Sequence, residues 1–155
     1  MAEFRESPWR RATVRLLMLR YEARSVADPA AAWALLARPA RWHEWAPHLR
    51  GAWGLGGDEV EPGARGAARL LGVLPVPARV TRVVRAPGGV GGWSWRVGPI
   101  ELDHEVAARA GGGCVVSTTI RAPRPLEPAL ALTYGPVVAV LMRNLARVAG
   151  RAPRG

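Results

Sequence analysis

The chain contains no lysine and no glutamine, one cysteine, one phenylalanine and two tyrosines. Each shortage excludes something. With Cys114 alone, no disulfide can form within the chain. That suits a reducing cytoplasm, which is the expected location. No apolar run approaches the roughly 20 residues that a membrane-spanning helix needs. The two greasiest stretches, Val14 to Leu19 and Val137 to Met142, are far too short. The basic N-terminus lacks the long apolar segment of a secretory signal. No serine sits in a Gly-x-Ser-x-Gly elbow. No glycine stretch forms a dinucleotide fingerprint, or ends in the Gly-Lys of a phosphate loop. Nucleotide chemistry is therefore not expected, and no cofactor is expected.

What the chain has instead is arginine. All 22 basic residues are arginine, and the net charge is +10. Together with the abundant alanine, glycine and proline, this reads as codon bias in a GC-rich genome. Residues 1 to 20 hold five arginines against Glu3 and Glu6, and the tail adds Arg151 and Arg154. Half of the excess charge thus lies at the two ends. The middle shows no dense basic run interleaved with aromatics, so no nucleic-acid partner is expected. The arginine-rich ends leave room for weak contact with an anionic membrane. Residues 1–17 are expected to form a basic, flexible extension, with Met18 as an alternative start. A single domain follows over 18–150, and 151–155 form a flexible tail.

At 155 residues and 49% apolar, one domain can bury roughly 70% of its unfolded surface. Leu16 to Ala27 alternates as a strand, with Leu17, Leu19, Tyr21 and Ala23 on one face. Asp28-Pro29 then starts a short helix through Ala37. A second short helix or turn covers Arg41 to Trp45 and stops at Pro47. Six strands follow in quick succession: 50–55, 67–74, 78–85, 93–97, 100–108 and 114–122. Glycine-rich turns separate them, and Pro75 and Pro77 mark a turn or an edge. From Pro128 to Ala149, Leu130, Tyr134, Val137, Leu141, Leu145 and Val148 recur at helical spacing. Gly135-Pro136 should weaken or kink that helix, because Pro136 cannot donate to the Leu132 carbonyl. Consecutive strands with tight turns make an antiparallel sheet.

The stretch "RWHEWAPHL", Arg41 to Leu49, looks almost like the His-Glu-x-x-His of a zinc hydrolase. A zinc helix needs histidines four apart. His43 and His48 are five apart, about 140° around a helix, and Pro47 interrupts. No metal is expected.

This order of elements resembles the START-like, helix-grip (SRPBCC) superfamily, in particular polyketide cyclase/dehydrase and lipid-transport-like proteins. The residues that carry the resemblance are "SVADPAAAWALLARPARWHEWAP", the strand block through "GGWSWRV", "HEVAARAGGGCVVSTTI" and "LMRNLARVA". The pattern covers roughly Leu19 to Ala149. It is a pattern of order and spacing, with no catalytic signature. It implies an α+β fold in which a seven-stranded antiparallel sheet wraps a long C-terminal helix, with two short helices after the first strand. It also implies a hydrophobic small-molecule cavity between sheet and helix. Trp45 followed by Pro47 is similar to the family's Trp-x-Pro, which helps close the fold near that cavity.

Strand parity then nominates side chains. Glu101, Asp103 and Glu105 share one face of their strand, so His104 falls on the inner face with Leu102 and Val106. It is either a hydrogen-bonded core histidine or a general acid/base with an ordinary pKa near 6.5. Trp93 and Trp95 share an inner face, as plain core or as a flat wall for a ring system. Arg82 falls in phase with Ala78, Val80 and Val84. That face is either solvated, or carries a guanidinium for a ligand carboxylate or carbonyl. Tyr21 and Tyr134 are core hydroxyls or donors to a ligand. The resemblance implies cyclisation or dehydration of a polyketide-like substrate. His104 would move the proton, Trp93 and Trp95 would hold rings, and Tyr21, Tyr134 or Arg82 would stabilise an enolate oxygen. The alternative is a non-catalytic carrier of a lipid or hydrophobic metabolite.

Overall fold

The computed structural model of the chain describes residues 17–151. The expected basic extension and tail lie outside the described residues, apart from Leu17 and Arg151. So do most of the arginines of the two ends.

Seven strands form one antiparallel sheet. They are β1 (Leu17–Ser25), β2 (Leu49–Trp53), β3 (Arg65–Leu70), β4 (Leu74–Arg85), β5 (Gly91–Val97), β6 (Ile100–Ala108) and β7 (Cys114–Ala122). Their spatial order is β1-β7-β6-β5-β4-β3-β2. Strands β2 to β7 are sequential neighbours, joined by short connections except for the longer loop 54–64 between β2 and β3, and β1 closes onto β7. Helix α1 (Pro29–Ala37) and a 3-10 turn (Pro39–Glu44) sit between β1 and β2. After β7 come α2 (Glu127–Thr133) and α3 (Gly135–Gly150). Helix α3 packs on β1 and β7, and α1 packs on α3. The fold is α+β helix-grip, as the resemblance implied.

The core lies between the sheet and α3. Val138, Leu141, Met142, Leu145, Ala146 and Ala149 are the apolar face of α3, all buried. Leu145 is fully buried, and truncating such a leucine to alanine costs about 2–5 kcal/mol. Two details differ from the sequence reading. The expected single helix is two helices bent by 50°. The missing donor at Pro136 opens the ladder, and Gly135 at the bend is packed against the Tyr21 hydroxyl so closely that a Cβ would collide with it. The bend also shifts the phase of the stripe: Val138 is buried, while Val137 is 41% exposed.

The second difference is in strand bounds: β4 already begins at Leu74, so of the two readings of Pro75 and Pro77, a turn or an edge, the edge holds. Both lie inside β4, which pairs with β3 along this half, whereas its register with β5 begins only at Arg79. One side of that half is an edge, where a missing N–H is tolerated. The turn lies earlier, at Leu71-Gly72, where both residues take positive φ.

Candidate functional site: an apolar cavity ending at His104

Cross-strand register builds the site's floor. Tyr21 faces Thr118, Thr118 faces His104, His104 faces Trp93, and Trp93 faces Val83. The next row pairs Leu19, Ile120, Leu102, Trp95 and Val80 in the same way. Period two carries each row across the sheet, because opposite residues share a face.

Above this floor lies an apolar cavity of about 290 Å3. The sheet lines it with Ala68, Leu70, Val76, Val97 and Ile100, and α2 covers it with Leu130. Leu49, Trp95, Leu102 and Tyr134 line both this cavity and a tight chamber of about 30 Å3. The chamber holds His104, His48, Thr118, Trp93 and Met142, and is closed by Trp42 and Trp45. Thirty cubic ångströms is room for about one water or one small terminal group.

His104 is buried, and its ring lies 4.5 Å from that of Trp93. Nδ1 is 2.8 Å from Thr118 Oγ1, which is 3.3 Å from Met142 Sδ. Because the Thr118 hydroxyl donates to Met142 Sδ, Nδ1–H donates to Thr118, and Nε2 is left as the acceptor of the ring. Burial pushes the imidazole pKa down to about 4, with Asp103 pulling weakly upward. At neutral pH His104 is therefore an uncharged imidazole, able to accept a proton and unsuited to the role of general acid. Asp103 itself lies on the opposite face of β6. It is buried rather than solvated, accepts from Ser94 Oγ and pairs with Arg121 at 2.8 Å.

The tryptophans divide by role. Trp42 Nε1 donates to the Leu36 carbonyl at 2.9 Å, and Trp45 Nε1 to the Leu35 carbonyl at 3.0 Å. Both carbonyls belong to the last turn of α1, which has no intrahelical donors left. The "RWHEWAP" stretch is thus a cap on α1. Its Glu44 carboxylate is held by Arg41 through two hydrogen bonds, and His43 is exposed. Among the described residues, no three His, Cys, Asp or Glu side chains cluster as a metal site.

Of the residues nominated from sequence, His104, Trp93, Trp95, Tyr134 and Trp45 line the chamber together. Burial raises the Tyr134 pKa, so its hydroxyl keeps its proton. Tyr21 lines neither cavity; its hydroxyl abuts Gly135 at the start of α3. Arg82 is exposed and also lines neither cavity. The register between β4 and β5 shifts between Val80 and Arg82, so Val83, and not Arg82, stands opposite Trp93. A bulge of this kind reverses strand parity beyond it.

One residue was missed. His48 lines the chamber, half-buried, with a pKa lowered by burial. The Leu49 N–H bonds back to the Ala46 carbonyl at 2.9 Å, which makes a turn over Pro47 and His48. Proline at the second position of such a turn is its signature. Read together with Trp45, it marked the segment that delivers His48 to the cavity.

Among the described residues, no single helix is long and apolar enough to cross a membrane; α2 and α3 together pass by length and composition, but they are bent. No curated protein matches the sequence. Solved structures match in fold. A Thermobifida fusca protein aligns at TM-score 0.68 with 21% identity, covering 86% of this chain and 93% of that one. A Mesorhizobium loti protein aligns at 0.64 with 13% identity, covering 89% and 100%. A norcoclaurine synthase point mutant from Thalictrum flavum, solved with a transition state analogue, aligns at 0.57 with 12% identity, covering 86% and 93%. The sequence pattern described as polyketide cyclase / dehydrase and lipid transport matches residues 18–150. With that match over the described domain, the chain belongs to the polyketide cyclase/dehydrase and lipid-transport family.

Proposed function

We propose that the protein binds an apolar, ring-containing small molecule between its sheet and its C-terminal helices, and converts it by acid/base chemistry of the polyketide cyclase type. The observation that carries this reading is the apolar cavity of about 290 Å3 that shares Leu49, Trp95, Leu102 and Tyr134 with the chamber of His104. A greasy volume with a few polar groups at one end is the usual form of a small-molecule site. Convergence of His104, His48 and Tyr134 on one chamber supports conversion over carriage alone.

In this reading the ring system lies along Trp95, Val97 and Ile100. The neutral His104 imidazole takes a proton from the carbon beside a ligand carbonyl, and Thr118 holds the ring in place. The Tyr134 hydroxyl donates to the enolate oxygen that forms. The enolate carbon then closes onto a second carbonyl of the same molecule, and the proton held on His104 passes to the alkoxide so formed, which restores the neutral imidazole.

Native mass spectrometry of freshly purified protein is the test. The expected result is a bound apolar molecule, lost in a Leu130→Arg variant that places a charge in the cavity wall. Absence of any adduct, with no uptake of an aryl ketone at millimolar concentration, would sink the reading.

A further inference from the structure

Four tryptophans line the chamber and a fifth, Trp33, is buried in the core outside it; their N–H groups are not treated alike. Trp33 Nε1 donates to Glu59 at 3.2 Å, and Trp42 and Trp45 donate to the last carbonyls of α1. Among the described residues, no group accepts from Trp93 Nε1 or from Trp95 Nε1, although both atoms are buried. An indole nitrogen can only donate. Leaving such a donor buried and unpaired costs about 1–3 kcal/mol. Native proteins keep few such groups, and each calls for a reason. Here the two belong to neighbouring rings, with centroids 5.5 Å apart, and both rings line the chamber of His104.

The chamber's chemistry narrows what would satisfy them. The partner must be a hydrogen-bond acceptor, because both orphans are donors. It must be small, because the chamber holds about 30 Å3. It must be attached to something apolar, because among the described residues the adjoining cavity has, besides Trp95 itself, only Tyr134 as a polar side chain. Among the described residues, no Asp, Glu, Lys or Arg lines either space. His104 is neutral at physiological pH. An ionised group would therefore be desolvated there without a counter-charge.

We infer that the chamber is a carbonyl subsite: Trp93 and Trp95 donate their N–H groups to the neutral carbonyl oxygen of an otherwise apolar ligand. The inference rests on the binding reading above and sharpens it to ketones, aldehydes or quinones, against hydrocarbons, amines and carboxylates. It also places the carbonyl beside His104, where the adjacent carbon can lose a proton.

Three probes of one shape test it: 2-acetylnaphthalene, 2-isopropenylnaphthalene and 2-naphthoate. They exchange a carbonyl oxygen for a methylene or for a carboxylate on the same ring. Affinities are measured by titration calorimetry on the full chain. The ketone is expected to bind about tenfold tighter than the alkene, one hydrogen bond's worth, and tighter than the carboxylate. Trp93→Phe and Trp95→Phe, singly and together, should shrink the ketone preference, read as the ratio of ketone to alkene affinity within each variant, so that a change in the wall common to both probes cancels. Equal binding of ketone and alkene by the native protein overturns the subsite, and so does a ketone preference that survives in the double variant. Preference for the carboxylate overturns its neutral character. If none of the three probes binds, the hydrophobic-ligand reading itself fails and takes the subsite with it.

Discussion

Charge is expensive at His104, and that has a measurable consequence. The ordinary imidazole pKa is 6.5, and burial lowers it to about 4. Between those values the unfolded chain binds a proton that the folded chain refuses. Stability therefore falls as pH drops from about 6.5 toward 4, and is fully present above 6.5. For a shift of this size the loss is up to about 3 kcal/mol. Denaturant titrations from pH 4.5 to 7.5 should show this slope in the native protein and a flatter one in His104→Gln; identical slopes would remove the assignment. Leu71 offers a second residue-scale expectation. It takes a φ of 51° and is 76% exposed. A left-handed conformation costs a non-glycine residue about 1–2 kcal/mol. Leu71→Gly should accordingly leave stability unchanged or raise it by up to about 1 kcal/mol, read from the urea midpoint.

At the scale of elements, the bend between α2 and α3 positions the roof of the cavity. Leu130 on α2 and Tyr134 at the joint both face it. The bend depends on Pro136 and on the close fit of Gly135 to Tyr21. Gly135→Ala drives a methyl into the phenol and should cost about 1–3 kcal/mol, as overpacking does. Tyr21→Phe in the same chain should recover part of that loss, measured by thermal or urea unfolding. A purely additive double variant would show that the two residues do not compete for the same space. The proline was visible in the sequence, and so was a kink. The burial phase beyond the kink was not, because a period counted through a 50° bend loses its origin.

For the whole molecule, the expectation is linkage between ligand and stability. A ligand that binds only the folded chain adds about 2.7 kcal/mol at one hundred times its Kd. An aryl ketone should therefore raise the unfolding temperature of the native protein in proportion to the logarithm of its concentration. Leu130→Arg should erase the shift, since its charge would enter an apolar wall that offers no counter-ion. An equal shift in both proteins would mean that the probe binds elsewhere.

Several features of this protein were decided by local chemistry, and the sequence sufficed for them. The inner faces of β5 and β6, and the placement of His104, Trp93 and Trp95, follow from period two, which needs only neighbours a few residues away; the seven-stranded sheet was implied by the family resemblance. Other features were decided by tertiary structure alone. Of the two readings of Arg82, the solvated one holds, because a bulge inserted one residue of phase between Val80 and Arg82. His48 joined His104 because a proline turn swung it back across the sheet. Trp42 and Trp45 found acceptors at the end of α1, while Trp93 and Trp95 found none among the described residues. Their hydrogen bonds, and the burial that keeps His104 neutral, depend on what stands opposite each side chain, which is set by packing between elements distant in the chain.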